Sequence, residues 1–328
     1  MIRGRTEICS RPDCGQPGSI CHGGRPTGAI GWPGKGSLER AGGRKSDMRV
    51  SVLGMGRMGE GVALRLAEGG HQVTVWNRSP GKGAEAVAHG ATEARTVAEA
   101  TEGAEVVITS LSNDQAVRSL ALGDGGFAGG LHAAVYVDAS TISPALSAEL
   151  AERMDAFVAM PILGNPQAVR SGKALYLLGG PPAALERLEP VVSSLTASTK
   201  RYPTAPMASA AKLASNLLLL DAVVALAEAF TVARAGGLDD DEIRSLLSES
   251  AMVPAGVRNR FEAVLGHGDA SWWTVALGGK DARLAGELAR SAGSDLPMTQ
   301  AAYQRYQDAV AAGLTEADIS AVGDLYRT

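Results

Sequence analysis

Cysteine is missing from the chain after Cys21; Cys9, Cys14 and Cys21 all fall in the opening segment of the 328 residues. A body without thiols has no disulfide framework and no thiolate metal site, and it fits the reducing cytoplasm, which is the expected location. A basic excess is missing as well. Thirty-one Lys and Arg against 35 Asp and Glu give a formal net charge of -4, so no nucleic-acid partner is expected. There is also no unbroken apolar run of membrane length. The most apolar segment, "NLLLLDAVVALAEAF" from Asn216, is interrupted by Asp221 and Glu228, which lipid would penalise. It reads as a buried helix, and no membrane partner is expected.

The first 47 residues, crowded with Gly, Arg and Pro, show no apolar period. A segment with so little to bury is expected to be a disordered extension or an upstream start, with Met48 as the functional beginning. Cys9, Cys14, Cys21 and His22 make C-x4-C-x6-C-H, which departs from the paired knuckles of zinc sites, so no metal is expected. No continuous apolar core follows the basic start, so the segment is not read as a secretory signal.

From Met48 short apolar runs alternate with amphipathic stretches, the pattern of strands joined by helices. "RVSVLG" and "HQVTVWN" read as the first two strands, with the helix "GRMGEGVALRLAEGG" between them. "AEVVITS", "AAVYVDAS", "AFVAM" and "ALYLLGG" supply further strands. The expected class is α/β, a doubly wound parallel sheet over residues 48–204. After "YPTAP" the pattern changes. From Met207 to Ala235 there is neither Gly nor Pro, and a helix of that length runs about 43 Å. "DDDEIRSLLSES", "GVRNRFEAVLG", "DARLAGELARSAG", "MTQAAYQRYQDAVAAG" and "TEADISAVGDLY" read as further helices, so residues 205–328 are expected to form an all-helical second domain.

Gly54, Gly56 and Gly59 form G-x-G-x-x-G directly after a predicted strand and at the start of a helix. Such glycines allow the turn, let backbone approach a pyrophosphate and let helix and strand pack closely, with the helix N-terminus facing the phosphates. Met55, Arg57 and Met58 fill the same loop; a merely tight turn is the plainer alternative. The second strand ends in Asn77, Arg78 and Ser79, with Lys82 nearby and no acidic group. No carboxylate repels a 2'-phosphate there, and the Arg78 fork can pair with one, so NADP is expected over NAD. A solvated surface charge is the other reading of Arg78.

The stretch "VDASTISP" lies at the carboxyl end of a predicted strand, where open α/β sheets gather ligands. Asp138, Ser140 and Thr141 bring short polar groups there, and Ser143 with Pro144 also reads as a helix start. In "AAKLASN" Lys212 and Asn216 stand four apart and share a helix face. By residue physics alone Lys212 either snorkels to solvent or is set in a pocket.

Four motifs in order, "GMGRMG", "DASTISP", "AAKLASN" and "GGKDARLA", resemble the β-hydroxyacid dehydrogenase family from Met48 to the C-terminus. The resemblance implies a Rossmann domain, a long interdomain helix, a helical C-terminal domain, and a homodimer or homotetramer acting on a small-molecule substrate. It implies Lys212 as catalytic acid and base with Asn216 as its hydrogen-bonding neighbour, and Ser140 as a substrate contact. Leu111, Ser112 and Thr141 would then lie along the nicotinamide half, with Lys280 reaching in from the second domain toward substrate and cofactor. Gly164 and Asn165 fall in the substrate loop. There the family usually reads P-V-S-G-G, whereas this chain reads "PILGN", so Leu163 and Asn165 replace the serine and glycine that grip a carboxylate. An imine or ketone reductase, suggested by Leu163, Trp272 and Trp273, is the alternative activity. A non-catalytic dinucleotide-binding protein is the third reading, against which Lys212 and Asn216 both stand.

Overall fold

The computed structural model describes residues 47–131, 134–268 and 272–327. The expectations for the first 46 residues, including the cysteine-histidine cluster, lie outside the described residues. Lys45–Thr328 form one compact unit.

Runs rich in Val, Ile and Tyr become strands because both faces of each strand can be covered at once. The strands are β1 Arg49–Leu53, β2 Gln72–Trp76, β3 Thr92–Glu93, β4 Val106–Thr109, β5 Val135–Asp138, β6 Phe157–Ala159, β7 Ile162–Leu163, β8 Leu175–Gly179 and β9 Ser198–Tyr202. Among the described residues these nine form one sheet in the order β3-β2-β1-β4-β5-β6-β8-β7, with β9 on β8. Pairing is parallel from β3 to β6; β8 runs antiparallel to β6 and β7, and β9 parallel to β8. The sheet is therefore mostly parallel and doubly wound, as expected, with a mixed edge that the sequence did not announce. Every residue of β4 and β5 is buried. β9, with the sequence "STKRY", is polar and largely exposed, so it lacked the apolar signal by which strands are read.

The helical half differs from expectation in three places. "GVRNRFEAVLG" is split into Ala255–Arg258 and Phe261–Leu265, because Arg260 turns inward to pair with Asp318. "TEADISAVGDLY" gives a 3-10 helix only from Ile319, since Asp318 is held in an isolated bridge with Thr274 and caps that helix itself. "DARLAGELARSAG" instead belongs to a longer helix, Val275–Ser291, that runs through Gly278 and Gly279.

The longest element is the helix Ala205–Ala235. Its length and mean hydropathy would let it cross a membrane, and its buried residues recur every three or four positions, the period of one covered face. Ala205 and Ala208 pack in the core on one side of the sheet, whereas Leu220, Val223, Val224, Ala227 and Phe230 belong to the core of the helical half. Lys212 and Asn216 fall between these two anchored ends.

The first turn of the Gly-rich loop is closed by sterics. Gly54 has φ +105°, and a Cβ there would stand 2.3 Å from the Ser110 carbonyl oxygen; one at Gly59 would stand 1.9 Å from the Gly54 carbonyl oxygen. At Gly56 an added Cβ meets nothing within 4 Å. Gly59→Ala is therefore expected to cost roughly 1–3 kcal/mol of stability, while Gly56→Ala costs at most about 1 kcal/mol. Denaturant midpoints check this contrast, and equal losses at the two positions would contradict it.

Candidate active site

In a doubly wound sheet ligands gather beyond the carboxyl ends of the strands where the strand order reverses, here between β1 and β4. Two cavities open there, of about 690 and 800 Å³, and both are lined by Ser110, Leu111 and Ser112.

The smaller cavity is walled by Gly54, Gly56, Asn77, Arg78 and Ser79. Asn77 stitches its floor together. Its Oδ1 accepts from the Met55 amide at 3.0 Å, and its Nδ2 donates to the Ser79 carbonyl at 3.0 Å. Met55 is buried in the core, so only its backbone belongs to the loop. Gly56 and Arg57 are exposed at the start of the helix Arg57–Glu68, and half-buried Met58 reaches the larger cavity. Arg78 and Ser79 are exposed at the rim. The residues fit a dinucleotide: the glycines that face protein are sterically required, and Gly56 alone is bare on its open side, where a diphosphate meets the unpaired amides of a helix N-terminus.

The larger cavity lies between the sheet edge and the helices. On its sheet side a buried chain of hydrogen bonds joins β4 and β5. Asp138 Oδ1 accepts from Thr109 Oγ1 at 2.6 Å and from Ser140 Oγ at 2.7 Å, while Ser140 Oγ accepts from the Leu111 amide at 2.8 Å. Burial pushes the Asp138 carboxyl up to about 6 in spite of these donors. Ser140 therefore spends its one proton on Asp138 and offers the cavity only a lone pair. Asn165 Oδ1 caps the helix Pro166–Arg170 by accepting from the Ala168 amide at 2.8 Å, which gives this asparagine a structural task. Gly164, Leu163 and Thr141 line the same wall.

Across from them stand the charged groups. Lys212 Nζ donates to the Ile162 carbonyl at 2.6 Å, and Asn216 Nδ2 donates to Asp281 Oδ2 at 2.7 Å. The expected neighbours thus face one cavity but bond to different partners: the hydrogen bond of Asn216 goes to Asp281, not to the lysine. Lys280 extends from the helix Val275–Ser291 to the Thr141 carbonyl, 2.5 Å away, with Asp281 Oδ1 at 2.8 Å. Burial lowers the Lys212 ammonium from its ordinary 10.5 to about 8; Asp281 opposes that shift and Lys280 adds to it. Such a lysine gives or takes a proton near neutrality. Asp281 was quoted in "GGKDARLA" without a role, and its position between two lysines shows only in three dimensions. Asp138 was likewise placed at the sheet edge without a role, and Arg260 was not among the expected site residues.

Comparisons with known proteins bear on the fold and the class of protein. Residues 49–204 match the family described as the NAD binding domain of 6-phosphogluconate dehydrogenase, and residues 207–326 match NAD-binding of NADP-dependent 3-hydroxyisobutyrate dehydrogenase. The uncharacterized oxidoreductase YfjR of Bacillus subtilis (strain 168) is 28% identical over 84% of this chain and 98% of its own length. A solved Mycobacterium tuberculosis 3-hydroxyisobutyrate dehydrogenase with L-serine is 25% identical, with a TM-score of 0.74 over 86% of this chain and 100% of that one. A reductive aminase from Aspergillus terreus, in complex with NADPH and ethyl-5-oxohexanoate, shares the fold at 23% identity and a TM-score of 0.55, covering 86% of this chain and 100% of its own.

Fold and site together define a nicotinamide-dependent oxidoreductase, a dehydrogenase or reductase. The chain belongs to the β-hydroxyacid dehydrogenase family.

The lowered Lys212 value has a consequence for stability. Its charged form is disfavoured in the fold, so the penalty is fully present below pH 8 and is released as the pH rises from about 8 toward 10.5. Lys212→Met is therefore expected to be more stable than the parent at pH 7, by on the order of 1–3 kcal/mol, with the gain vanishing above about pH 10. Thermal melts at the two pH values check this; a destabilised variant at pH 7 would show that Lys212 contributes net stability instead.

Proposed function

We propose that this protein is an NADPH-dependent reductase, working reversibly as a dehydrogenase, that interconverts a small carbonyl compound and its alcohol with Lys212 as general acid and base. The observation that carries this reading is a half-buried lysine of lowered pKa facing the cavity that adjoins the dinucleotide loop. When bound, the reduced nicotinamide supplies the hydride. Negative charge then builds on the substrate oxygen, and the Lys212 ammonium stabilises that charge and delivers the proton. Asp281 holds Asn216 and Lys280 in place, and the bond from Lys212 to the Ile162 carbonyl keeps the ammonium at the cavity wall. Lys280, tied to the Thr141 carbonyl, bridges the helical half to the sheet edge beside the reacting groups. Arg78, which has no ion-pair partner among the described residues, supports the preference for a 2'-phosphate. A homodimer or homotetramer working in the cytoplasm belongs to the same reading, and exposed Met207, Leu218 and Val232 along the long helix support the assembly.

Three tests bear on this proposal. Lys212→Ala is expected to lower turnover by roughly a hundred- to ten-thousandfold without unfolding the protein. In the parent, reduction requires the ammonium and so falls above about pH 8, whereas oxidation requires the amine and rises through the same pH. A folded Lys212→Ala enzyme that still turns over would remove the lysine mechanism and bring forward imine reduction, for which the apolar walls of Leu163, Trp272 and Trp273 are suited. Arg78→Ala is expected to weaken NADPH binding at least tenfold, about 1.4 kcal/mol, and to leave NADH nearly unchanged; equal losses in titrations with both cofactors would refute the NADP preference.

A further inference from the structure

The larger cavity contains an arginine that the reaction above does not use. Arg260 sits at the break between the helices Ala255–Arg258 and Phe261–Leu265 and is 4% exposed. Its Nε donates to Asp318 Oδ1 at 2.9 Å and its Nη2 to Asp318 Oδ2 at 3.4 Å, while the Trp272 ring covers the guanidinium at 5.3 Å. Asp318 also accepts from the amides of Trp272, Trp273 and Ser320, so its carboxylate is fully engaged from behind. Arg260 Nη1 has no hydrogen-bond partner among the described residues, it is not sealed from solvent, and the side chain lines the cavity beside Asn259. A nearly buried guanidinium is thus pinned along one edge and open along the other.

Its position relative to Lys212 follows from the long helix. Leu219 lies seven residues beyond Lys212, roughly 10 Å along the helix axis. There Leu219 Cδ1 comes within 3.9 Å of where a Cβ on Gly256 would stand, in the short helix that leads into Arg260. The segment that carries Arg260 therefore packs about two helical turns beyond Lys212, with Leu219, Val257 and Trp273 also on the cavity wall. The wall carries Lys212, Lys280 and Arg260 against Asp281, with Asp318 behind Arg260 and Asp138 behind Ser140. On the sheet side Ser140 has given up its proton to Asp138, Asn165 Oδ1 caps a helix and Leu163 is apolar.

We propose that Arg260 is a specificity-determining residue whose open edge binds a carboxylate at the end of the substrate remote from the reacting carbonyl. The substrate class is then an aldehyde or ketone with an apolar middle and a terminal carboxylate. This rests on the carbonyl-reductase reading above. A planar fork with free N–H groups matches the two oxygens of a carboxylate and has no counterpart in an uncharged chain end.

The test pairs substrates and also measures binding without turnover. NADPH-dependent reduction of succinic, glutaric and adipic semialdehydes is compared with that of alkanals of equal length. At least one semialdehyde is expected to exceed its alkanal tenfold or more in kcat/KM, chiefly through a lower KM. Arg260→Lys keeps a charge toward Asp318 but loses the fork, and is expected to cut that ratio at least tenfold; a melting curve checks that it folds. By calorimetry, glutarate is expected to bind the parent at least tenfold tighter than butyrate, with or without NADP, and equal binding of the two overturns the proposal even if the variant fails to fold. Equal kcat/KM within the matched pairs, or a preference that Arg260→Lys leaves intact, overturns the proposal. Arg260-dependent glutarate binding with no turnover of any carbonyl would uphold the carboxylate subsite and refute the reductase reading instead.

Discussion

The helix Ala205–Ala235 serves two cores at once. Its first turns are covered by the sheet through Ala205 and Ala208, and its later turns by the helical half through Leu220, Val223 and Phe230. Neither end can rotate without exposing apolar surface, at about 25 cal/mol for each Å² uncovered. The face between those ends is therefore fixed in direction, and Lys212 and Asn216 stand on it. A lysine on a solvated helix would keep its ordinary proton affinity. Held here against β7, it loses hydration and titrates near pH 8.

Around that lysine three buried aspartates are kept in different ways. Asp281 lies beside Lys280 and receives the Asn216 amide, so its charge is met by a cation and a donor. Asp318 is saturated by Arg260 and backbone amides, and although burial works against it, those donors leave its carboxyl below the usual range. Asp138 has the Thr109 and Ser140 hydroxyls and the Ser140 amide, with one oxygen unpartnered, and burial prevails. A charge survives inside a protein where enough donors replace its water, and donor supply differs among the three. Asp138 accordingly acts as a brace: with Thr109 and Ser140 it fixes the loop that carries the Leu111 amide, at the junction of the two cavities.

Periodicity made the larger elements legible. Burial on both faces imposes apolar runs on β4 and β5, and the absence of Gly and Pro from Met207 onward marks the long helix, so sheet and helix could be read locally. The edge strand β9 escaped because exposure removes the apolar signal, and the helix around Arg260 was read as continuous because nothing local shows that this side chain turns inward. At the site, the glycine loop was legible because its requirements are steric and short-range. The task of Asn165 as a helix cap was not, since the departure from "PVSGG" reads equally as a changed ligand contact.

What the sequence by itself determined is the set of local necessities: Gly54 and Gly59, where any side chain would strike backbone; the apolar spacing of each element; and a lysine and an asparagine on one helix face. What only the tertiary structure decided is which charges meet. Asn216 reaches Asp281 across 65 positions, Arg260 reaches Asp318 across 58, and Lys280 reaches the Thr141 carbonyl across 139. Steric and hydrophobic rules act over one turn or one strand and are written into neighbouring residues. Proton affinity depends on the groups and the water within a few ångström, and for Lys212 those are supplied by distant stretches of the chain.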